Sequence, residues 1–433
     1  MTEVRKPGEG WTFRRDAIQR FRFVRAALDE ATGRVELVYA FDDGPALVEA
    51  LEIPGAPFAL DAPRRRAVDA ALRLLHLIAG ISYYKAALPP ELVVESEAPD
   101  AALAELLTAV YEDGLGEFAY RNGLSLRGKI RFPAAGDGAA ATAAGLAPRA
   151  ITAIGGGKDS LVSIEALRDA GVEQSLAFIG NSPLIHACAE RTGLPAINIA
   201  RRLAPELFDF NAAGAWNGHI PVTAVNSAIL VLVALLRGAD QVVFSNERSA
   251  SYGSLIPGTG EVNHQWSKGW DFERRFAAYV RAHVAADLAY YSLLRPLSEL
   301  AVARRFAKID RYDAHFSSCN RNFHILGERP AQRWCGECPK CRFVFLALAP
   351  FMPKPRLTAI FGRNLLDEPA QARAVFFELA ARPVWREDAL VRRFAREIAP
   401  RIGAESLPAL LVPQGEHGIP ETVWKRVGES FRT

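Results

Sequence analysis

Residues 150–171 read AITAIGGGKDSLVSIEALRDAG. An apolar run opens the stretch. Three glycines follow at Gly155, Gly156 and Gly157, then Lys158, Asp159 and Ser160, and then residues with helical spacing. Glycines let backbone N–H groups approach an anion, and the first turn of the following helix adds unpaired N–H groups at the positive end of its dipole. The chemistry these types and spacings suit is phosphate binding. Two familiar loops do not fit. A Walker A loop needs Ser or Thr after its lysine, whereas Asp159 follows Lys158, and a dinucleotide fingerprint needs a third glycine where Ser160 stands. The plain alternative is a glycine-rich turn with Asp159 as the helix cap.

A second group lies at 317–343, SSCNRNFHILGERPAQRWCGECPKCRF. Cys319, Cys335, Cys338 and Cys341 form two overlapping C-x-x-C steps with a fourth cysteine upstream. That pattern matches a tetrahedral thiolate site, and a structural zinc there contributes folding energy rather than chemistry. A [4Fe–4S] cluster fits the ligand count too. Free buried thiols would need four of the five cysteines to cluster by chance. The fifth, Cys188 in IHACAE, reads as plain core.

Further polar groups stand in short loops. FSNERSAS follows an apolar strand ending at Phe244, which puts Ser245, Asn246, Glu247 and Arg248 at a carboxyl end of the sheet. Arg248 suits a carboxylate or phosphate fork, or equally a surface ion pair. NHQWSKGWDFE brings His264, Lys268 and Asp271 together with Trp266 and Trp270, a mixture suited to a nucleotide or nucleotide-sugar pocket. Its bland reading is a turn capped by Asp271. His219 in WNGHIPVT precedes a long apolar helix. Its near-neutral pKa suits base work, although a lone histidine there is more often structural. GISYYKA and GEFAYRNG set Lys85, Glu117, Tyr120, Arg121 and Asn122 beside glycines, fit either for a uridine-diphosphate sugar or for ordinary capping.

The elements that position these groups follow from the rest of the chain. Its 433 residues suffice for two or three domains. Half the residues are hydrophobic and 23% are charged, a globular composition. A net charge of +3 gives no global sign of nucleic-acid binding, so an anion must be held locally. MTEVRKPGEGWTF has no apolar leader, and the run AILVLVALL at 228–236 is too short for a bilayer. No membrane partner is expected, and the expected location is cytoplasmic, with reduced cysteines.

The first 132 residues read as an α+β domain for substrate recognition. RFRFVRAALDEATGRVELVYAFDDG gives two strands about a Thr-Gly turn, and RRRAVDAALRLLHLIAGISYYKAAL starts as a helix. PAAGDGAAATAAGLAP, 133–148, reads as a linker or mobile loop. Residues 149–310 alternate strand and helix: RAITAIGG, DSLVSIEALRDAG, QSLAFIG, PLIHACAERTG, AINIARR, VTAVNSAILVLVALLRG, QVVFSNE. This implies an α/β domain with a doubly wound parallel sheet. Residues 311–433 read as a helical region carrying the cysteine cluster.

IGGGKDS resembles the SGGxDS signature of the N-type PP-loop ATP pyrophosphatases, in the right place between a first strand and a first helix. The resemblance covers roughly 149–250. It implies an adenine-nucleotide alpha-hydrolase-like (HUP) fold, ATP as substrate with Mg²⁺, and cleavage between the α- and β-phosphates. It makes Gly155, Gly156, Gly157, Lys158, Asp159 and Ser160 the nucleotide-binding residues. Gly156 and Gly157 would bare N–H groups to pyrophosphate, Asp159 would act through Mg²⁺ or orient the loop, and Ser160 would bond a phosphate oxygen. One departure stands out: the signature's leading Ser is Gly155 here, and Lys158 offsets the lost hydroxyl with charge. The late position of the cysteines resembles the structural zinc of the PP-loop synthase that makes cyanodeazaguanine.

Together HLIAGISYYKA, GLGEFAYRNGL, IGGGKDS, FSNERSAS, NHQWSKGWDFE and WCGECPKCRFVFLALAPF resemble the MurL-type epimerases over most of the chain. That resemblance implies adenylation of the terminal α-carboxylate of UDP-N-acetylmuramoyl-L-alanyl-L-glutamate and inversion at Cα. Lys158, Asp159, His219, Glu247, Arg248, His264, Lys268 and Asp271 are the catalytic candidates. The alternative is an amide- or nitrile-forming PP-loop synthase, against which the extra N-terminal residues count. A tRNA modifier would need a basic face, and a nucleotide sensor without turnover has no use for Lys-Asp-Ser.

Overall fold

The computed structural model describes residues 11–256, 260–323, 330–365, 367 and 406–432. Two compact units make up the chain. The first is Met1–Pro148 with Asn198–Val242 and Val262–Tyr290, and the second is Arg149–Ile197 with Val243–Glu261 and Tyr291–Thr433.

In the first unit the Thr-Gly turn joins β1 (Arg20–Asp29) to β2 (Arg34–Phe41) in antiparallel register, and Gly33 takes the left-handed φ of +77° that the turn requires. β3 (Leu47–Glu52) pairs antiparallel with β2. Helix α1 (Ala62–Ala79) starts where the Asp61 carboxylate accepts a hydrogen bond from Arg64 N–H, with Pro63 in the first turn. Short α2 (Ile81–Tyr84) follows, then β4 (Glu91–Val94), parallel to β1. Next come α3 (Ala101–Glu112) and α4 (Gly116–Arg121). Aromatic side chains fill this core: Phe21, Phe23, Tyr39 and Tyr83 lie in ring contact, and Tyr39 donates its hydroxyl to His76 O.

The alanine- and glycine-rich 133–146, expected as a linker, forms no helix or strand and is mostly exposed, yet its course is fixed. Ala135 N–H donates to Pro99 O, Ala141 N–H to Ala282 O, and the N–H groups of Ala144 and Leu146 both reach the Asp287 carboxylate. Small residues let the backbone lie close enough for these bonds, which is why low complexity does not produce a free tether. The last two residues, Ala147 and Pro148, already belong to β5 (Ala147–Ala153).

The second unit carries the strand–helix alternation: β5, α5 (Lys158–Asp169), β6 (Gln174–Ile179), α6 (Pro183–Thr192) and the start of β7 (Ala196–Arg202). β5 and β6 pair in parallel from Ala150↔Gln174 to Ala153↔Ala177. β7 meets β3 antiparallel through Ala200–Arg202, within the first unit, as does α7 (Glu206–Ala212). The fold is therefore mixed α/β, parallel between β5 and β6, where strand and helix alternate, and antiparallel from β1 through β3, with β4 parallel to β1.

The apolar run 228–236 lies in α8 (Val222–Arg237), which packs on α1 and stops at Gly238 with a left-handed φ of +66°. Among the described residues no helix is long and apolar enough to cross a membrane. β8 (Ala239–Phe244), the paired short strands β9 (Ser254–Ile256) and β10 (Gly260–Val262), α9 (Trp270–Tyr279) and β11 (Ala289–Ser292) follow. The last described helices include α10 (Glu299–Ala307), α11 (Pro339–Leu348) and α12 (Lys354–Phe361). Much of the expected helical region, 368–405, lies outside the described residues.

Candidate functional site

In the second unit the glycine loop leaves the end of β5 and enters α5. Ile154 N–H still bonds Ala177 O at 3.0 Å, and the chain turns at Gly156, whose φ is +75°. Gly157 at the cap position offers no side-chain cap to α5, so among the described residues the first-turn N–H groups have no capping partner of the usual kind. Asp159, the alternative cap, sits inside the first turn instead, with Gly157 at the cap position. Ser160 works within the loop: its hydroxyl accepts from Gly155 N–H at 3.3 Å and donates to Gly157 O at 3.1 Å.

Lys158 is 2% exposed, and its ammonium lies 2.5 Å from both Asp159 Oδ1 and Glu299 Oε2. Burial works against its charge, but the two carboxylates outweigh burial and hold its pKa above the usual lysine value. Glu299, at the start of α10, is held above the ordinary carboxylate value. Burial is the main cause, Lys158 opposes it, Asp159 and Glu247 add to it, and Lys340 opposes it. Three carboxylates and two lysines thus sense one another around the loop. The sequence singled out Lys158, Asp159 and Glu247. Glu299 had no local signal, since it lies in an ordinary helical stretch, and Lys340 was passed over between the cysteines of the C-x-x-C step.

The strand-end loop after β8 also lies in this unit. Asn246 donates to Ser292 Oγ at 3.0 Å, and Glu247 accepts from Ser249 Oγ at 2.7 Å. Buried Arg295 donates to Glu247 O at 2.9 Å and fixes the turn. Arg248 reaches Gln414 Oε1 at 3.0 Å. Ser245 Oγ is enclosed and has no hydrogen-bond partner among the described residues.

The four cysteine sulfurs lie within 4.8 Å of one another. Cys335 and Cys341 are 3.7 Å apart, Cys338 and Cys319 3.9 Å, and Cys338 and Cys341 3.4 Å. Ligands on one ion at about 2.3 Å in a tetrahedron stand roughly 3.8 Å apart. The donors therefore fit a single metal ion, whereas a cubane cluster places each thiolate on a separate iron. The local fold serves the same end. Cys338 caps α11 and its sulfur accepts from Cys341 N–H, while Cys335 accepts from the N–H groups of Glu337 and Cys338.

This centre adjoins the glycine loop. Ser317 N–H donates to Gly156 O at 3.0 Å, two residues before Cys319, and Lys340 stands between Cys338 and Cys341. Cys188 is buried as expected, and its sulfur lies 3.6 Å from the same Gly156 O. Burial pushes its thiol up to about 12, so it is an inert packing group.

The first unit holds the other candidates. His219 lies at an exposed position of its loop, and its pKa is lowered: partial loss of solvation among its neighbours is the first cause, Glu117 opposes it, Lys268 and Arg121 lower it further, and a bond to the His264 backbone opposes them. His219, His264, Lys268, Glu117 and Arg121 are therefore neighbours. Arg121 and Glu117 form an ion pair at 2.7 Å. Lys85, 6% exposed, donates to Asn217 Oδ1 at 3.2 Å, and burial lowers its pKa to about 8. Asn122 donates to Asn217 O at 3.2 Å. Asp271 stands apart from this set: it pairs with Arg274 and Arg275 along α9, whose cap is Gly269. Tyr120 is half-buried on α4.

Comparison with known proteins supplies the remaining finding. A family model described as the MurL N-terminal domain matches residues 12–293, and one described as the MurL C-terminal domain matches 315–381. A UDP-N-acetyl-alpha-D-muramoyl-L-alanyl-L-glutamate epimerase of Xanthomonas oryzae pv. oryzae is 64% identical over 446 aligned positions, covering 97% of this chain and 99% of the relative. Proteins of the same name from Salinispora tropica and a Micromonospora species are each 45% identical over 81% of this chain, covering 77% and 79% of their own lengths.

Proposed function

The chain belongs to the MurL family, and from that premise we propose the following reaction for it. The protein is an epimerase acting on UDP-N-acetylmuramoyl-L-alanyl-L-glutamate, giving the D-glutamate diastereomer for peptidoglycan synthesis. The observation that carries this is the 64% identity across nearly the whole of both chains.

The chemistry needs ATP. The Cα–H beside a carboxylate is hardly acidic, because its loss would build a dianion. If the terminal α-carboxylate attacks the α-phosphorus of ATP, the α–β phosphate bond breaks and pyrophosphate leaves. The acyl-adenylate is a mixed anhydride with a far more acidic Cα–H. A base takes that proton, a proton returns to the opposite face, and water hydrolyses the anhydride to carboxylate and AMP.

The glycine loop suits the first half. In this PP-loop reading, within a HUP-type fold, the N–H groups of Gly156 and Gly157 and the start of α5 hold the polyphosphate, Gly155 N–H being bonded to Ser160 within the loop, while Lys158 and Lys340 supply charge. Asp159, Glu247 and Glu299 are the carboxylates suited to Mg²⁺, which would offset phosphate charge. Arg248 is placed to receive an anionic group once released from Gln414. Zinc is the metal that four thiolates at these spacings suit, in a structural role.

The His219 group suits the second half. His219 with its lowered pKa is neutral at ordinary pH and able to accept a proton; Lys268 and His264 are the candidates to return one, with Asp271 the remaining candidate nearby in sequence. Lys85, Glu117, Arg121 and Asn122 are suited to the nucleotide-sugar portion, and Tyr120 offers a ring. The sequence boundaries, 1–132 for substrate recognition, 149–310 for the ATP chemistry and 311–433 for the metal, are cut across by the compact units, since 198–242 and 262–290, which carry the His219 group, belong with the first. A UDP-linked substrate and ATP both place the reaction in the cytoplasm.

One experiment tests the reading. Protein, ATP and the muramoyl dipeptide in D₂O should give AMP, pyrophosphate and product with deuterium at the glutamate Cα. Free L-glutamate should be a very poor substrate, because remote binding energy positions the reacting end. Among single alanine variants of His219, His264, Lys268 and Asp271, at least one should form pyrophosphate without exchanging the Cα proton. If His219 is that base, exchange should fall as pH drops below a pKa that lies under 6.5, since protonation removes the base. Product without deuterium, or an amide or nitrile formed from added ammonia, would replace this reading with the synthase one.

A further inference from the structure

Gly157 presents a puzzle. Its backbone angles, φ −93° and ψ 169°, are ordinary extended values that any residue adopts. Conformation therefore does not require glycine there. Space does: a Cβ on Gly157 would lie 2.8 Å from Ser318 Oγ. Gly155 is the reverse case, since a Cβ there meets nothing within 4 Å. The loop lacks a hydroxyl at a position with room for one, and it keeps a bare Cα where a hydroxyl arrives from another segment.

That hydroxyl is held firmly in place. Ser317 N–H donates to Gly156 O at 3.0 Å on one side of Ser318. On the other side is Cys319, buried in the four-sulfur centre, whose N–H donates to Ser317 Oγ at 3.1 Å. The Ser317 hydroxyl in turn donates to Arg333 O at 2.7 Å. Ser317 is thus fully occupied as a structural group. The half-buried Ser318 hydroxyl, by contrast, has no hydrogen-bond partner among the described residues. It stands beside the uncapped start of α5, where an anion would complete it.

We propose that Ser318 is a phosphate-binding residue of the nucleotide loop, presented by the cysteine centre to supply the hydroxyl that the loop lacks at Gly155. The proposal rests on the ATP-using reading of Gly155–Ser160. It gives the metal centre a second duty: beyond holding its own segment together, it fixes a ligand-binding side chain.

The test is pyrophosphate release against ATP concentration, using the full chain with its metal and the muramoyl dipeptide. Ser318→Ala should raise KM for ATP roughly 10- to 100-fold, the effect of losing one hydrogen bond to a charged group. Melting temperature and metal content should stay at wild-type values. Ser318→Thr, which keeps the hydroxyl, should remain close to wild type. The double variant Gly155→Ser with Ser318→Ala should recover most of the loss, because the open space at 155 accepts the transplanted group. An unchanged ATP dependence in Ser318→Ala overturns the proposal while leaving the ATP reading intact. So does a defect that tracks metal loss and is rescued by neither variant. A wild-type protein that releases no pyrophosphate from ATP overturns both.

Discussion

Asp159→Asn should lower pyrophosphate release by about 10²- to 10³-fold, the usual cost of removing one preorganised electrostatic group, while melting temperature changes little. The Asp159 side chain is 36% exposed and Lys158 keeps Glu299 as its partner, so the neutral isostere leaves no buried charge unpaired. Lys158→Met should behave differently. Lys158 is the buried cation between Asp159 and Glu299. Removing it strands two carboxylates, one of them deeply enclosed, and stability should fall by about 3–5 kcal/mol. The loss carries a pH signature. Glu299 already has a folded-state pKa above its usual value, so its contribution to stability is full at low pH and fades as pH rises through that value. Without Lys158 the value rises further and the window widens. Lys158→Met should therefore melt closest to wild type near pH 5 and fall furthest behind near pH 8. A wild-type rate in Asp159→Asn, or a pH-independent deficit in Lys158→Met, would remove this account of the loop.

Stripping the metal should have the other large effect. Elemental analysis of gently purified protein should find one zinc per chain. Chelation, or Cys338→Ser, should loosen the segment from Ser317 to Leu348, seen as new proteolytic cuts, with a stability loss of several kcal/mol. Pyrophosphate release should be lost in parallel, because Ser317 is bonded to the glycine loop and Lys340 stands between two of the ligands. A metal-free protein that stays folded and releases pyrophosphate at the wild-type rate would show that the cysteines have no such task. A visible iron–sulfur chromophore would contradict the single-ion geometry.

Local pattern alone was enough for much of this molecule. The Thr-Gly hairpin, helix α1, the strand–helix alternation from β5 to β7 and the apolar α8 all follow from spacing, caps and turn residues, which act within a few residues of chain. The turn of the glycine loop into α5 and the gathering of the four cysteines were legible for the same reason, since closely spaced glycines and C-x-x-C steps leave short-range marks. What no local pattern could encode is partnership across long separations. Glu299 meets Lys158 across 141 positions, and Ser318 reaches Gly157 only because the cysteine-bearing segment packs there. The 133–148 stretch reads as a tether until Asp287 and Ala282 supply its hydrogen-bond partners. Even the reason for Gly157 is tertiary, since its backbone angles suit any residue and only a distant hydroxyl demands the missing side chain. Sequence fixes what a residue is able to do chemically; burial and the charges brought beside it decide which of those capacities is used.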